Sequence, residues 1–246
     1  MLKLSHWSRG IRTVESTDPA AFAYFWFYEW NLFEAVNAGQ HTHARWDFDW
    51  KVGEREAEMV SDTFRIRAQA SDDHVDLELT VTNRSDHQWP DIASIIPCFN
   101  PGDGKETERN DRLMDLDHTR TWFVDRDGLS LLNQREIHFN QRYREQIGRE
   151  ADRDGKYEFS HKWPTDPANA EIGAIIRESD DGKWVAGIVW DDFLSAQGHN
   201  PWACMHLSVR VGALEPAESV TRRGRIYLFE GNSEDCLDRC RAFLKR

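Results

Sequence analysis

Cysteine is scarce in this chain, and basic residues are outnumbered. There are 4 cysteines among 246 residues, at Cys98, Cys204, Cys236 and Cys240. They are too few for a disulfide scaffold and lack the paired spacing of a zinc ribbon. They read as buried free thiols of a reducing compartment. Lys plus Arg number 31 against 43 Asp plus Glu, a formal net charge of −12. A field of that sign repels phosphate backbones and argues against nucleic acid as a partner. It also disfavours polyanionic polysaccharides. No run approaches the roughly 20 apolar residues that span a bilayer, so no membrane partner is expected. The opening MLKLSHWSRG turns polar too early for a secretory signal, and the expectation is a cytoplasmic protein. A Gly-x-Ser-x-Gly elbow and a phosphate-cradling glycine loop are both missing, which removes the commonest nucleophile and nucleotide motifs.

What remains is an ordinary globular composition, 39% hydrophobic and 30% charged, in a chain long enough to bury a core without staples. Strand signals dominate. Phe64, Ile66, Ala68 and Ala70 alternate with Arg65, Arg67 and Gln69; after the turn SDDH, Val75, Leu77, Leu79 and Val81 alternate with polar residues. This predicts an antiparallel hairpin. RTWFVDRDGLSLL and IGAIIRESDDGKWVAGIVW predict two more, each turning at an Asp-Gly pair. DIASIIPCF, CMHLSVRVG and SVTRRGRIYLFEG read as further strands. NSEDCLDRCRAFLKR reads as a helix with acidic residues first, basic residues last, and an apolar stripe of Cys236, Leu237, Cys240, Phe243 and Leu244. Near the start, Asp18, Pro19 and Gly39 fit the cap, first turn and end of an aromatic helix; a pair of aromatic strands is the alternative. Two polar stretches, 101–118 and 146–170, are long enough to be binding loops. With no compositional break and no repeat, residues 1–246 are expected to form a mostly β, single-domain antiparallel β-sandwich (supersandwich or jelly roll) with a helix near each end.

The candidate chemistry begins with HTHARWDFDW. Read with a period of two, His41, His43, Arg45, Asp47 and Asp49 share one face and Trp46, Phe48 and Trp50 the other. Two histidines so placed could share one divalent transition metal, and the alternative is a solvated strand face whose charges pair with one another. His206 and Arg210 share the polar face of a later strand, while His199 and Asn200 sit in a turn just before it, with Trp202 beside them. His41, His43 and His206 would form the metal set if these strands line one cavity. His43, His206 and His199 are the candidate proton carriers. Glu29, set among aromatic residues, joins them if it is buried, since burial raises a carboxyl pKa. Arg45, His138, Asn200, Trp202 and Arg210 are candidate ligand contacts. Of the 11 tryptophans, Trp46, Trp50 and Trp190 should pack in the core. Trp89, Trp163 and Trp202 are candidates for a cavity rim, where flat rings stack on sugars.

Two resemblances bear on this. His41-x-His43 followed by Asp47 is similar to the first half of the metal motif of the cupin jelly rolls, with aspartate where that family has glutamate and without its second, Gly-rich half. VDLELTVTNRSDHQWPDIASIIPCFNPG resembles the strand-turn-strand that leads into the sugar site of galactose-mutarotase-like β-supersandwich proteins. That family's His-x-Tyr-Phe-Asn type of motif is matched here by Pro97, Cys98, Phe99 and Asn100, so its histidine is absent and mutarotation itself is not implied. The resemblance implies the fold, a sugar-like ligand, and Asn100 as a contact. The expected function is therefore a carbohydrate-active enzyme working on a sugar or sugar acid by proton abstraction, as epimerases, isomerases and lyases do, with or without a metal's assistance. A metal-dependent jelly-roll oxidoreductase using His41, His43 and His206, or a non-catalytic carbohydrate-binding module, are the alternatives. The partner is a small-molecule or oligosaccharide ligand, and the aromatic N-terminal region could equally cover a second subunit of a homo-oligomer.

Overall fold

A computed structural model describes residues 1–7, 10–30, 49–61, 64–91, 93–104, 108–109, 112–134, 168–197 and 203–245, with the side chains of 27–30, 103–104, 108–109 and 134 outside the description. Alternating sequence becomes strand through most of it. In chain order the strands are β1 Leu2–Trp7, β2 Gly10–Glu15, β3 Phe22–Trp30, β4 Trp50–Val52, β5 Glu56–Val60, β6 Phe64–Ala70, β7 His74–Thr82 and β8 Ser94–Pro101. They continue with β9 Asp103–Gly104, β10 Glu108–Arg109, β11 Thr121–Asp125, β12 Gly128–Leu131, β13 Ala174–Glu178, β14 Trp184–Trp190, β15 Phe193–Gln197, β16 Met205–Arg210 and β17 Ser219–Glu230. Helix α1, Ser233–Leu244, follows.

Among the described residues these strands form two large antiparallel sheets and one two-stranded ribbon, β9–β10. One sheet has six strands in the order β1-β2-β3-β8-β16-β15; the other has nine, β12-β11-β13-β14-β17-β7-β6-β5-β4. Their inner faces meet in one continuous core. Leu4, Ile11, Phe25, Ile95, Phe99 and Leu207 come from the six-stranded sheet, and Met59, Ile66, Leu79, Ile188 and Ile226 from the nine-stranded one. Each large aliphatic or aromatic side chain so buried contributes about 1.5–3 kcal/mol relative to exposure. The architecture is the expected antiparallel β-sandwich.

The hairpins fall where the turn chemistry predicts them. β6 and β7 pair with Ala70 opposite Val75, and the inward residues of β6 alternate strictly with exposed ones. β11 and β12 turn with Asp125 opposite Gly128, and β13 and β14 with Glu178 opposite Val185. The near-continuous apolar runs of β13 and β14 have a direct cause: α1 lies over them, so both faces are covered. Cys236, Leu237, Cys240 and Phe243 pack there on Ile176, Val185, Val189, Tyr227 and Phe229. Gly187 permits the close approach, because a Cβ there would stand 2.6 Å from Cys236 Sγ. No helix among the described residues is long and apolar enough to cross a membrane.

The expected N-terminal helix is overturned over residues 22–30, which are the strand β3, paired with β2 and β8. The physical reason is that both faces of this strand are covered. Ala23 and Phe25 enter the inter-sheet core, while Phe22, Tyr24 and Trp26 pack on the opposite face. A strand apolar on both faces carries no alternation, and its aromatic run then imitates a helix buried all round. A register shift between Phe27 and Glu29 blurs the period of two further.

Candidate functional site

The outer face of the six-stranded sheet gathers the unusual chemistry. Strand alternation sends Cys98 and Asn100 of β8, His206 and Ser208 of β16, and Ser195 and Gln197 of β15 to this side, because Phe99, Leu207 and Ala196 between them point into the core. Register then aligns them laterally. Gln197 pairs with His206, His206 with Cys98, and Cys98 with Trp26. One row, Trp26–Cys98–His206–Gln197, therefore crosses four strands. All four are buried, at 3%, 2%, 7% and 3% exposure. Tyr24 pairs with Asn100 in the neighbouring row.

An aromatic wall stands at the β3 end. The Trp7 ring lies 4.6 Å from that of Tyr24 and 5.2 Å from that of Trp26, and Phe22 meets Tyr24 edge-on at 5.5 Å. At the polar end, His206 Nε2 is 3.0 Å from Cys98 Sγ. Asn100 Nδ2 donates to Cys204 Sγ at 3.7 Å. One ligand atom each from Cys98, Cys204 and His206 lies within 4.8 Å of the others. This is the donor set among the described residues that could hold a metal, and it is a soft one.

Beneath the site lies a buried ionic cluster. Arg177, on β13, donates from Nε to Thr121 Oγ1 at 2.8 Å, from Nη1 to the Pro101 carbonyl at 2.9 Å, and from Nη2 to His118 Nδ1 at 3.1 Å. Arginine has no acceptor, so His118 must carry its proton on Nε2 if it is neutral. Asp115 lies 3.9 Å from the guanidinium and accepts from the Thr119 and Arg120 backbone N–H groups and from Thr121 Oγ1. Burial pushes the Arg177 pKa down to about 10, against the opposing negative charge of Asp115. Burial would raise Asp115, but the Arg120 N–H and the Arg177 charge outweigh it and hold the carboxyl below its usual range. The cluster ties β13 to the end of β8.

Of the residues expected to form the site, this geometry brings together His206 and Asn100. Arg210 lies on the same strand four residues from His206, opposite Ser94, and is ion-paired with Asp91 and Asp192. Glu29 is on β3 with its backbone opposite Ile96; its side chain is outside the description. His41, His43, Arg45, His138, His199, Asn200 and Trp202 lie outside the described residues. Trp50 packs into the core as expected, and so does Trp190. Trp89 does not line a rim: it is buried in the core, with Nε1 donating to Ser85 Oγ at 3.0 Å. Its polar surroundings are a tight turn folded over the ring, which a local reading takes for exposure.

Sequence reasoning missed Cys98 as a partner of His206, and missed Gln197, Trp7, Tyr24, Trp26 and the Arg177–His118–Asp115 cluster. Arg177 left a signal. A charge inside the apolar run AIIRE must find partners once both faces of that strand are covered. The other side of the molecule offers a groove of about 950 Å³ on the nine-stranded sheet, lined by Lys51, Glu58, Arg65, Arg67, Asp76 and Arg225 among others. Its charges pair across strands, Glu58 with Arg65 and Arg67 and Asp76 with Arg225, and its described lining has no imidazole or thiol.

No protein-family profile matches the chain, and no curated protein matches its sequence. Solved structures similar to the chain include the following three. A galactose mutarotase related enzyme from Lactobacillus acidophilus is 11% identical, with 95% of this chain and 99% of that one covered at a TM-score of 0.41. A galactose mutarotase-like protein from Lactobacillus casei is 10% identical, covering 93% and 100% at 0.40. The Slr1438 protein from Synechocystis sp. PCC 6803 is 11% identical, covering 93% and 96% at 0.44. The fold described above rests on the strand pairing of this chain itself.

Proposed function

We propose that the protein is a carbohydrate-active enzyme that binds a sugar or sugar acid on the outer face of the six-stranded sheet and removes a proton beside a carbonyl, in the manner of epimerases, isomerases and lyases. The observation that carries this reading is the buried row Trp26–Cys98–His206–Gln197, next to Asn100 and walled by Trp7 and Tyr24. Aromatic rings offer flat apolar surface to the C–H faces of a sugar, while amides and an imidazole take its hydroxyl and carbonyl oxygens. His206 is the proton acceptor in this reading, since imidazole is the side chain most often used for general acid–base transfer. Asn100 is a ligand contact. His43, His199 and Glu29 are further candidates for proton transfer; Arg45, His138, Asn200, Trp202 and Arg210 are further candidates for ligand contacts.

The test is a binding and turnover screen against aldoses, ketoses and uronates, read by saturation-transfer NMR and by proton exchange at the carbon beside the carbonyl. Wild type should bind at least one member saturably and exchange its proton. His206→Gln should retain binding and lose about 100-fold or more in exchange rate, the usual worth of a positioned acid–base group. Unchanged exchange in that variant would remove His206 from the chemistry. Binding without exchange in wild type would reduce the protein to a non-catalytic sugar-binding module.

A further inference from the structure

We propose that Cys98, Cys204 and His206 form a binding site for a thiol-preferring d10 cation, zinc(II) in particular, with the fourth coordination position left to an oxygen ligand. This inference stands apart from the sugar-binding reading and needs no substrate.

Cys98 lies on β8 and His206 on the adjacent β16, with Cys204 immediately before β16, and the three donors already converge. One ligand atom from each residue lies within 4.8 Å of the others, and all three residues are buried. Tetrahedral zinc, with bonds of about 2.3 Å to sulfur and 2.0–2.1 Å to nitrogen, requires its ligand atoms about 3.5–3.8 Å apart. The Cys98 Sγ to His206 Nε2 separation of 3.0 Å would have to open by about half an ångström, which small side-chain torsions can supply. Two thiolates and a neutral imidazole select a soft cation over magnesium or calcium. With zinc(II) the two negative charges cancel the cation. A neutral complex is what a site walled by Phe22, Tyr24 and Trp26 tolerates best. Loading releases the two thiol protons to solvent as two zinc–sulfur bonds form, and no electron changes hands.

The surroundings fit this use. Asn100 Nδ2 donates to Cys204 Sγ, a contact that strengthens as the sulfur becomes a thiolate. Such outer partners orient and tune metal ligands. Two further groups in the same row, Trp26 Nε1 and Gln197 Nε2, are buried with no hydrogen-bond partner among the described residues. Trp26 is the cross-strand neighbour of Cys98 and Gln197 that of His206. Both orphan groups are N–H donors, so the ligand they suit is an acceptor oxygen, as a metal-bound water or hydroxide provides. An ion on His206 Nε2 would hold the imidazole proposed above for proton transfer, so that chemistry belongs to the metal-free protein.

The deciding experiment titrates reduced, metal-free protein with cobalt(II), which reports thiolate ligation through intense near-ultraviolet charge-transfer absorption, and then displaces it with zinc(II). Wild type should bind one equivalent with that absorption and lose it to one equivalent of zinc. The variant C236A/C240A, which removes the distant thiol pair of α1, should behave like wild type. Cys98→Ala and Cys204→Ala should each lose most of the absorption, with circular dichroism establishing that they are folded. The idea is overturned if wild type binds no cobalt, if it binds without thiolate absorption, or if the absorption disappears in C236A/C240A. The wild-type titration decides the question even if a Cys98 or Cys204 variant does not fold.

Discussion

Arg177 shows how much one buried side chain can hold. Its guanidinium is fully enclosed, and Thr121, Pro101 and His118 take its hydrogen bonds while Asp115 balances its charge. Removing one partner of a buried pair leaves an uncompensated charge, which costs about 3–5 kcal/mol, far more than an exposed pair is worth. Asp115→Asn should therefore lower the urea unfolding free energy by about that amount; a loss within the range of a surface substitution would mean that the cluster is hydrated. The pH dependence has a definite sign. The folded carboxyl is held below its usual range, so its contribution is present above the ordinary aspartate pKa and is lost as pH falls through the lower folded value. In Asp115→Asn that part of the acid-side decline should flatten. His118 adds a second residue-scale lesson. It sits in a polar turn by sequence, yet it is fully buried at φ 53°, where its ring reaches the guanidinium.

Among the elements, α1 is the most local in origin. Asn232 caps it by accepting from the Asp235 backbone N–H at 3.0 Å, and the Asp235 carboxylate accepts in return from the Asn232 N–H at 3.3 Å. Glu234 and Asp235 lie in its first turn, where they favour the helix dipole. Asn232→Ala should cost about 1 kcal/mol, visible as a lower thermal midpoint with an unchanged folded baseline; no shift would mean that packing on β13 and β14 alone holds the helix. β3 is the opposite case. Its residues would tolerate a helix, and the choice of strand comes from ladders with β2 and β8 that satisfy the backbone on both sides. It contributes Tyr24 and Trp26 to the candidate site for that reason alone.

At the scale of the molecule, the nine-stranded sheet is closed by pairing distant parts of the chain. β17 lies between β14 and β7, and Thr80 Oγ1 meets Thr221 Oγ1 at 2.9 Å across 141 residues of sequence. Loop closure must come before such contacts stabilise anything, so folding should be slow, with a main refolding phase of about milliseconds to seconds or longer. Stopped-flow tryptophan fluorescence measures it directly; a dominant submillisecond phase would contradict a rate limit set by the β7–β17 pairing.

By itself the sequence determined what is periodic over a few residues: the hairpins of β6–β7, β11–β12 and β13–β14, the capped amphipathic helix, the buried thiols, and hence an antiparallel sandwich. Those features depend on alternation and turn residues, which are local. It also placed His206 on a polar strand face, and the resemblance of one strand-turn-strand singled out Asn100. Only the tertiary structure decided what stands beside them. Cys98 and His206 are 108 residues apart, and they meet because β8 and β16 pair in one register and not in the next, which would turn one side chain to the opposite face. The same holds for Arg177 and His118, 59 residues apart, for Trp89 under its turn, and for β3, whose two covered faces erase the alternation that marks a strand. A side chain's face is written in its own segment; its neighbour across the sheet is set by the register of strands far away along the chain.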